Sequence, residues 1–347
     1  MNRLLEYGSV EAIPYYNCSH KNFTEWEKTG QKRPYFGWPL VVFGVLVELL
    51  YIPVIYIIFK TKLIRHPCYK IIVLLALIDI TATCCSCLIT GPMLIMGTVF
   101  CMYPTFTYVA GGIAISTWCM ACAATTSLFS NRIISIGFRK YADVIEKKLA
   151  YTSISFVLFY GFYICWFTPT TAYNSVFMAW IPDPLSEEVP SKEAAAMYKH
   201  TILPWNNWIF VACMFILFSV YFIMVKRMAK GQKSKASRSI FIQCSIICFF
   251  NTGTALVYNA LAIVTPAEWI LAFGQICWTC NHASPAIIYV SLNSTIRREF
   301  LKIVFRNTLA PVNLIFGISE LKSLVFRKWK MLQQVLQRTR FKINFVM

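Results

Sequence analysis

The chain has 347 residues, of which 57% are hydrophobic and 14% charged, yet it carries a formal charge of +18 from 33 Lys+Arg against 15 Asp+Glu. A soluble chain usually has about 25% charged residues, so this composition disfavours a soluble enzyme, a disordered tail protein and a coiled coil. It leaves open whether the basic surplus faces nucleic acid, lipid or a protein partner, and the position of that surplus along the chain decides.

Residues 1–36 contain no apolar run of the kind a cleavable signal peptide needs, so the first span is expected to serve as the insertion signal. This segment holds two glycosylation sequons, Asn17-Cys18-Ser19 and Asn22-Phe23-Thr24. Seven apolar stretches follow, at 37–59, 71–96, 105–131, 149–168, 206–225, 239–264 and 269–292. Each is near the roughly 20 residues that a helix needs to cross a bilayer core, whereas barrel strands would alternate over about ten. The chain reads as an all-α membrane protein, a seven-transmembrane helical bundle. Residues 1–36 form a glycosylated tail, 37–292 the bundle, and 293–347 a basic tail.

The stretches contain no Lys or Arg and only two carboxylates, Glu48 and Asp79. An ionisable group at that depth is costly and marks function by default. Glu48, at the middle of the first stretch, is expected to be protonated and satisfied by a neighbouring helix. Asp79 needs a cation, a hydrogen-bonding network or its own proton, and Asn251 and Asn281 are candidate partners. Cys84-Cys85, Cys87 and Cys277-x-x-Cys280 read as small apolar packing groups. Cys18 and Cys101 fall on one side of the membrane and form a candidate disulfide. Cys165 is a competing partner, and an unpaired Cys18 is the third option.

Four segments, 60–70, 132–148, 226–238 and 293–347, hold four, five, six and eleven Lys+Arg, 26 in all, against 7 in 1–36 and 169–205. Basic residues concentrate on the cytoplasmic side, which places the N-terminus outside and the C-terminus in the cytosol. A third sequon at Asn293 is then expected to be silent. Residues 226–238 include Lys226, Arg227, Lys230, Lys233, Lys235 and Arg238 with no acid among them. They suit anionic lipid and a protein partner. Residues 297–306 alternate basic and apolar side chains and read as an interfacial amphipathic helix.

The four histidines, His20, His66, His200 and His282, are scattered. No metal site, phosphate loop or Ser/His/Asp set is expected, and the reading is not an enzyme. The seventh stretch has no Lys for a retinal Schiff base.

The layout resembles that of G-protein-coupled receptors. Leu75-Ala76-Leu77-Ile78-Asp79 resembles the rhodopsin-like second helix, where the Asp binds sodium, so the resemblance implies a candidate sodium ion at Asp79. Asn131-Arg132 resembles the Glu/Asp-Arg-Tyr motif with only the Arg kept. Tyr289-x-x-x-Asn293-x-x-x-Arg297-Arg298-x-Phe300 looks like the seventh helix running into a short eighth. Ser284-Pro285-Ala286-Ile287-Ile288-Tyr289 departs from Asn-Pro-x-x-Tyr by one extra residue and by Ser for Asn. The sixth stretch lacks the toggle Pro, and Cys101 has no loop partner. A closer match covers about residues 14–305. Tyr16-Asn17-Cys18-Ser19, Glu25-Trp26-x-x-Thr29-Gly30, Arg33-Pro34 and Glu48-Leu49-Leu50-Tyr51-Ile52-Pro53 resemble the nematode serpentine chemoreceptors of class T. So do His66-x-Cys68-Tyr69-Lys70-Ile71, Phe100-Cys101, Asn131-Arg132 and Met178-Ala179-Trp180.

That resemblance implies a rhodopsin-like bundle in the plasma membrane of a sensory neuron, signalling through heterotrimeric G proteins. A small external molecule is expected between the outer halves of spans three, five, six and seven. If Arg132 transmits the signal, counting back along one helix face places Trp118 and Ala114 toward the pocket. Tyr108, Tyr258, Asn259, Gln275 and Trp278 are further candidates, whereas Trp205, Trp208 and Trp269 read as interfacial anchors. Asp79, Arg132, Tyr289 and Asn293 are the candidate transmission residues, and the basic residues of 226–238 are the candidate G-protein contact. Two other readings stand beside this one: a ligand-gated cation channel of the odorant-receptor kind, and a non-signalling membrane partner protein.

Overall fold

The computed structural model describes residues 1–137, 142–184, 196–227, 235–261 and 268–313. The chain divides into two units, Met1–Arg297 and Arg298–Met347. Two short helices, α1 (Asn2–Tyr7) and α2 (Phe23–Thr29), precede the long ones. These are α3 (Pro34–Lys60), then α4 (Pro67–Thr83), which runs through a π-helical turn at Cys84–Ile89 into α5 (Thr90–Met96). After them come α6 (Pro104–Gly137), α7 (Ala142–Phe167), α8 (Ile202–Arg227), α9 (Lys235–Leu261) and α10 (Glu268–Leu292). Helix α11 (Ser294–Asn313) carries the chain into the second unit, where Glu299 holds Lys302 at 2.7 Å.

Local chemistry sets several of these ends. Pro34, Pro67 and Pro104 open their helices, where a missing N–H costs nothing. Asn22 and Glu25 form a reciprocal capping box on α2. Gly97 closes α5 with a φ of 77°, a left-handed turn that favours glycine.

Six helical runs, α3, α4–α5, α6, α7, α8 and α9, are long and apolar enough to cross a membrane among the described residues. The sequence reading expected seven, and α10 accounts for the difference. It is 25 residues long, but Gln275, Thr279, Asn281, His282 and Ser284 lie along it, all buried. This polar row faces the interior and lowers the mean hydropathy, while Phe273, Ile276 and Ile287 stay exposed on the outer face. The α6 and α4–α5 runs form the centre, with 72% and 61% of their most apolar stretches buried, against 28% for α7 and 17% for α8. Apolar side chains such as Phe215 and Phe249 clothe the outside, a surface suited to lipid. Trp205, Trp208 and Trp269 are exposed as well.

Between α7 and α8 lies an antiparallel hairpin, β1 (Ala172–Asn174) and β2 (Ala179–Ile181), with Tyr173 opposite Trp180. The N-terminal segment folds over the same end, which is called the capped end below. A disulfide joins Cys18 to Cys101, and the other twelve cysteines carry free thiols. Tyr16 is buried edge-on among Phe100, Tyr108 and Tyr198, with ring centroids 5.7, 5.5 and 5.3 Å away. The Tyr198 hydroxyl donates to the Tyr15 carbonyl. The backbone N–H of Gln31 donates to Ser175 Oγ at 3.0 Å, and that of Arg33 to the Leu94 carbonyl at 2.7 Å. Gly30 admits this close approach, because a Cβ there would sit 1.8 Å from the Gly97 carbonyl oxygen.

Candidate functional site

A cavity of about 390 Å³ lies beneath the hairpin. Helix α6 contributes Ala114, Ile115 and Trp118 to its wall, α8 Leu203, α9 Tyr258, and α10 Leu271 and Trp278. The hairpin region closes it with Thr171, Phe177 and residues 179–182. Among the described residues no Asp, Glu, Lys, Arg or His lines it.

Of the residues expected to line a pocket, Ala114, Trp118, Tyr258 and Trp278 are in this wall, and Tyr108, Asn259 and Gln275 are not. Each departure has a physical reason. Tyr108 packs on Tyr16 beneath the N-terminal segment. Gln275 donates from Nε2 to the Ser86 carbonyl at 2.9 Å. That carbonyl belongs to the π-helical turn, whose changed hydrogen-bond spacing also hands the Cys85 carbonyl to the Thr90 hydroxyl at 2.7 Å. Asn259 is buried with both amide atoms unpartnered among the described residues, one position past the wall residue Tyr258.

Below the cavity runs a column of buried groups. The Trp118 and Trp278 rings each stand edge-on to the His282 imidazole, with centroids 6.2 Å away. His282 Nδ1 lies 2.7 Å from Asp79 Oδ1. The Tyr51 hydroxyl lies 3.0 Å from Asp79 Oδ2 and 2.7 Å from the His282 carbonyl oxygen, and its single proton serves one of them at a time. The expected partners of Asp79 are thereby corrected. Asn281 Nδ2 instead reaches Asn251 Oδ1 at 3.4 Å, and the carboxylate is held by Tyr51 and His282. Tyr51 and His282 thus approach the two oxygens of the carboxylate expected to hold a sodium ion. Glu48 is half-buried and receives the Cys84 thiol at 3.8 Å.

Tyr289 is buried within electrostatic reach of both Asp79 and Arg132. Arg132 is itself buried near the thiols of Cys68 and Cys244, and its Nε has no partner among the described residues. The adjacent Asn131 donates to the Glu146 carbonyl at 3.2 Å. No carboxylate is in hydrogen-bond contact with the Arg132 guanidinium among the described residues. Asn293 Nδ2 donates to the Tyr69 hydroxyl at 3.0 Å, while its Oδ1 caps α11 by accepting from Thr295 and Ile296. This amide is buried and engaged at both ends, whereas Asn17 and Asn22 are exposed. Lys226 and Arg227 close α8, and Lys235 and Arg238 lie on the first turns of α9. Lys230 and Lys233 lie outside the described residues, as does the C-terminal segment 314–347.

Sequence reasoning missed His282, Tyr51, Cys68 and Cys244. A signal for the first was present: His282 is the only histidine inside an apolar stretch, and Asp79 needed a partner.

The family model for the serpentine type 7TM GPCR chemoreceptor Srt matches residues 3–311. The chain belongs to this family. A curated relative, serpentine receptor class T-55 of Caenorhabditis elegans, is 27% identical over 302 residues, which make up 83% of this chain and 80% of that protein. As a member of the Srt family the protein is a multi-pass membrane protein of the chemoreceptor type, and α10 serves as its seventh span. Its polar row is the price of a buried position at the centre of the bundle.

Proposed function

We propose that this Srt-family protein binds a small external molecule in the cavity beneath the hairpin and passes that occupancy to a heterotrimeric G protein at the opposite end. One observation carries the reading. Trp118 and Trp278 are both cavity wall and packing for His282, which holds Asp79. Tyr289 and Arg132 continue the same column. A ligand acts by binding one arrangement of these rings better than another, and a ligand without that difference shifts nothing. The capped end faces outside and the basic segments face the cytosol, a reading supported by the 26-to-7 division of Lys+Arg and by the exposed sequon residues Asn17 and Asn22. In a sensory neuron's plasma membrane, Lys226, Arg227, Lys230, Lys233, Lys235 and Arg238 then meet anionic lipid and the G protein. His282 takes the place beside Asp79 that sodium was expected to fill, so the response should not depend on sodium.

The test is an odorant panel on cells expressing the chain, read by calcium or cyclic nucleotide. Arg132→Ala should abolish every response while surface labelling of an N-terminal tag is kept. Ala114→Trp, which fills the cavity, should do the same. Responses that survive both changes sink the proposal. A ligand-evoked conductance in a bilayer free of G proteins would show a channel instead.

A further inference from the structure

We infer that the cavity selects an uncharged, largely apolar molecule carrying one hydrogen-bond acceptor, and that Trp278 is the residue that tests for the acceptor. This rests on the cavity being the ligand site. At about 30 Å³ for each water-sized volume, a cavity of about 390 Å³ holds roughly a dozen non-hydrogen atoms.

The wall sets the polarity of the guest. Trp118, Phe177, Trp180, Tyr258 and Trp278 supply five aromatic faces, and among the described residues no Asp, Glu, Lys, Arg or His joins them. A charged ligand would give up its hydration there with no opposite charge to compensate.

The three indole N–H groups of the wall differ in what they have left to offer. Trp118 donates to Asn207 Oδ1 at 2.8 Å, and Trp180 donates to Thr90 Oγ1 at 2.9 Å. Trp278 Nε1 is buried and has no partner among the described residues. Thr171 Oγ1, also on a wall residue, is unpartnered in the same sense. A buried donor without an acceptor is a standing cost that an acceptor brought by the ligand removes. A carbonyl or ether oxygen does this, and a hydrocarbon does not. An aromatic wall alone also suits a quaternary ammonium, so such a cation belongs among the probes.

Four probes share a phenylalkyl skeleton: benzylacetone, butylbenzene, phenylbutyrate and phenylpropyltrimethylammonium. Affinities are measured by calorimetry on the purified full chain in lipid nanodiscs. Benzylacetone should bind about ten-fold tighter than butylbenzene, equivalent to about 1.4 kcal/mol, and both charged probes more weakly than benzylacetone. Trp278→Phe keeps a ring and removes the N–H, so it should bring benzylacetone to the affinity of butylbenzene and leave butylbenzene within about two-fold. Trp118→Phe, whose N–H is already used, should preserve the ratio.

Several results overturn the inference: equal affinity for ketone and hydrocarbon, a ratio that survives Trp278→Phe, or tightest binding by a charged probe. So does the absence of binding by any probe to a chain that keeps its helical spectrum. Ala114→Trp separates this from failure of the site itself. Unchanged binding of both neutral probes in that variant means the cavity is not the site. Loss of binding there, with no ketone preference in the unchanged chain, removes only the acceptor.

Discussion

At the capped end the N-terminal segment is tied down by the Cys18–Cys101 disulfide, by the rings around Tyr16 and by backbone hydrogen bonds to the hairpin and α5. At the other end of the buried column the thiols of Cys68 and Cys244 lie near Arg132, and among the described residues neither its Nε nor the Tyr289 hydroxyl has a partner. The first end is over-determined, since its contacts are covalent, aromatic and backbone at once. The second holds polar groups whose hydrogen bonds are few and weak, as thiols are poor partners. Under the proposed function, rigidity is thus placed where a ligand would be recognised, and alternatives are left open where an arrangement would change.

The largest effect expected from breaking this contrast comes from the disulfide. Its cysteines are 83 residues apart, and the chain-entropy estimate for such a loop is about 4.5 kcal/mol. Cys18→Ser, Cys101→Ser and the double variant should lose the same thermal stability in detergent. A double variant much worse than either single one would mean that the two thiols act separately. Next is the junction between the ends. His282→Ala leaves Asp79 buried without its ring partner and should cost about 3–5 kcal/mol. A paired Asp79→Leu, His282→Leu variant should recover most of that loss, and additivity of the single variants Asp79→Leu and His282→Leu in this double-mutant cycle would count against a coupled pair.

Gly30→Ala should cost about 1–3 kcal/mol, because the new Cβ meets a backbone carbonyl that cannot swing aside. Its thermal midpoint should fall by more than that of Gly253→Ala, where a Cβ meets nothing within 4 Å; equal shifts would deny the tightness of the capped end.

A smaller effect belongs to pH. Burial holds the His200 imidazole down at about 4 from 6.5, and the neutral ring accepts from the Leu203 N–H at 3.1 Å at the start of α8. The folded state therefore binds fewer protons than the unfolded chain between these values. The contribution of His200 is complete above about pH 6.5 and is lost as pH falls toward 4. Comparing thermal midpoints of the protein and His200→Gln from pH 7 to pH 5 isolates it, and identical slopes would exclude it.

The smallest change in stability is expected at Arg132. Arg132→Met replaces a buried guanidinium by an apolar side chain of similar length and should leave stability within about 1 kcal/mol or raise it. A loss as large as that of His282→Ala would show that the basic end is as tightly determined as the capped one.

The helices were legible because each apolar stretch is a local property of twenty or so consecutive residues. Even α10 could be read this way, although its Gln275, Asn281 and His282 pull it below the other six. The cavity was legible in part, since Trp118, Tyr258 and Trp278 are aromatic residues at inward helical positions. Gln275 could not be assigned in this way. Its partner is a carbonyl of the π-helical turn on another helix, 189 residues away in sequence. Asn259 went astray for a related reason: being one residue from a wall residue turns a helical side chain by about 100°. Arg132 was recognised by its motif, but nothing local announces that thiols from α4 and α9 surround it.

By itself, then, the sequence determined that this chain spans a membrane in helices and that its charge is divided unequally between the connecting segments. It also determined which side chains are too polar to sit in lipid without a reason. Those properties add up locally, residue by residue. Only the tertiary structure decided the reasons: His282 for Asp79 across 203 residues, Asn207 for Trp118 across 89, and for Trp278 no partner among the described residues. A hydrogen bond needs a donor and an acceptor within about 3 Å, and where two helices bring such groups together is settled by packing.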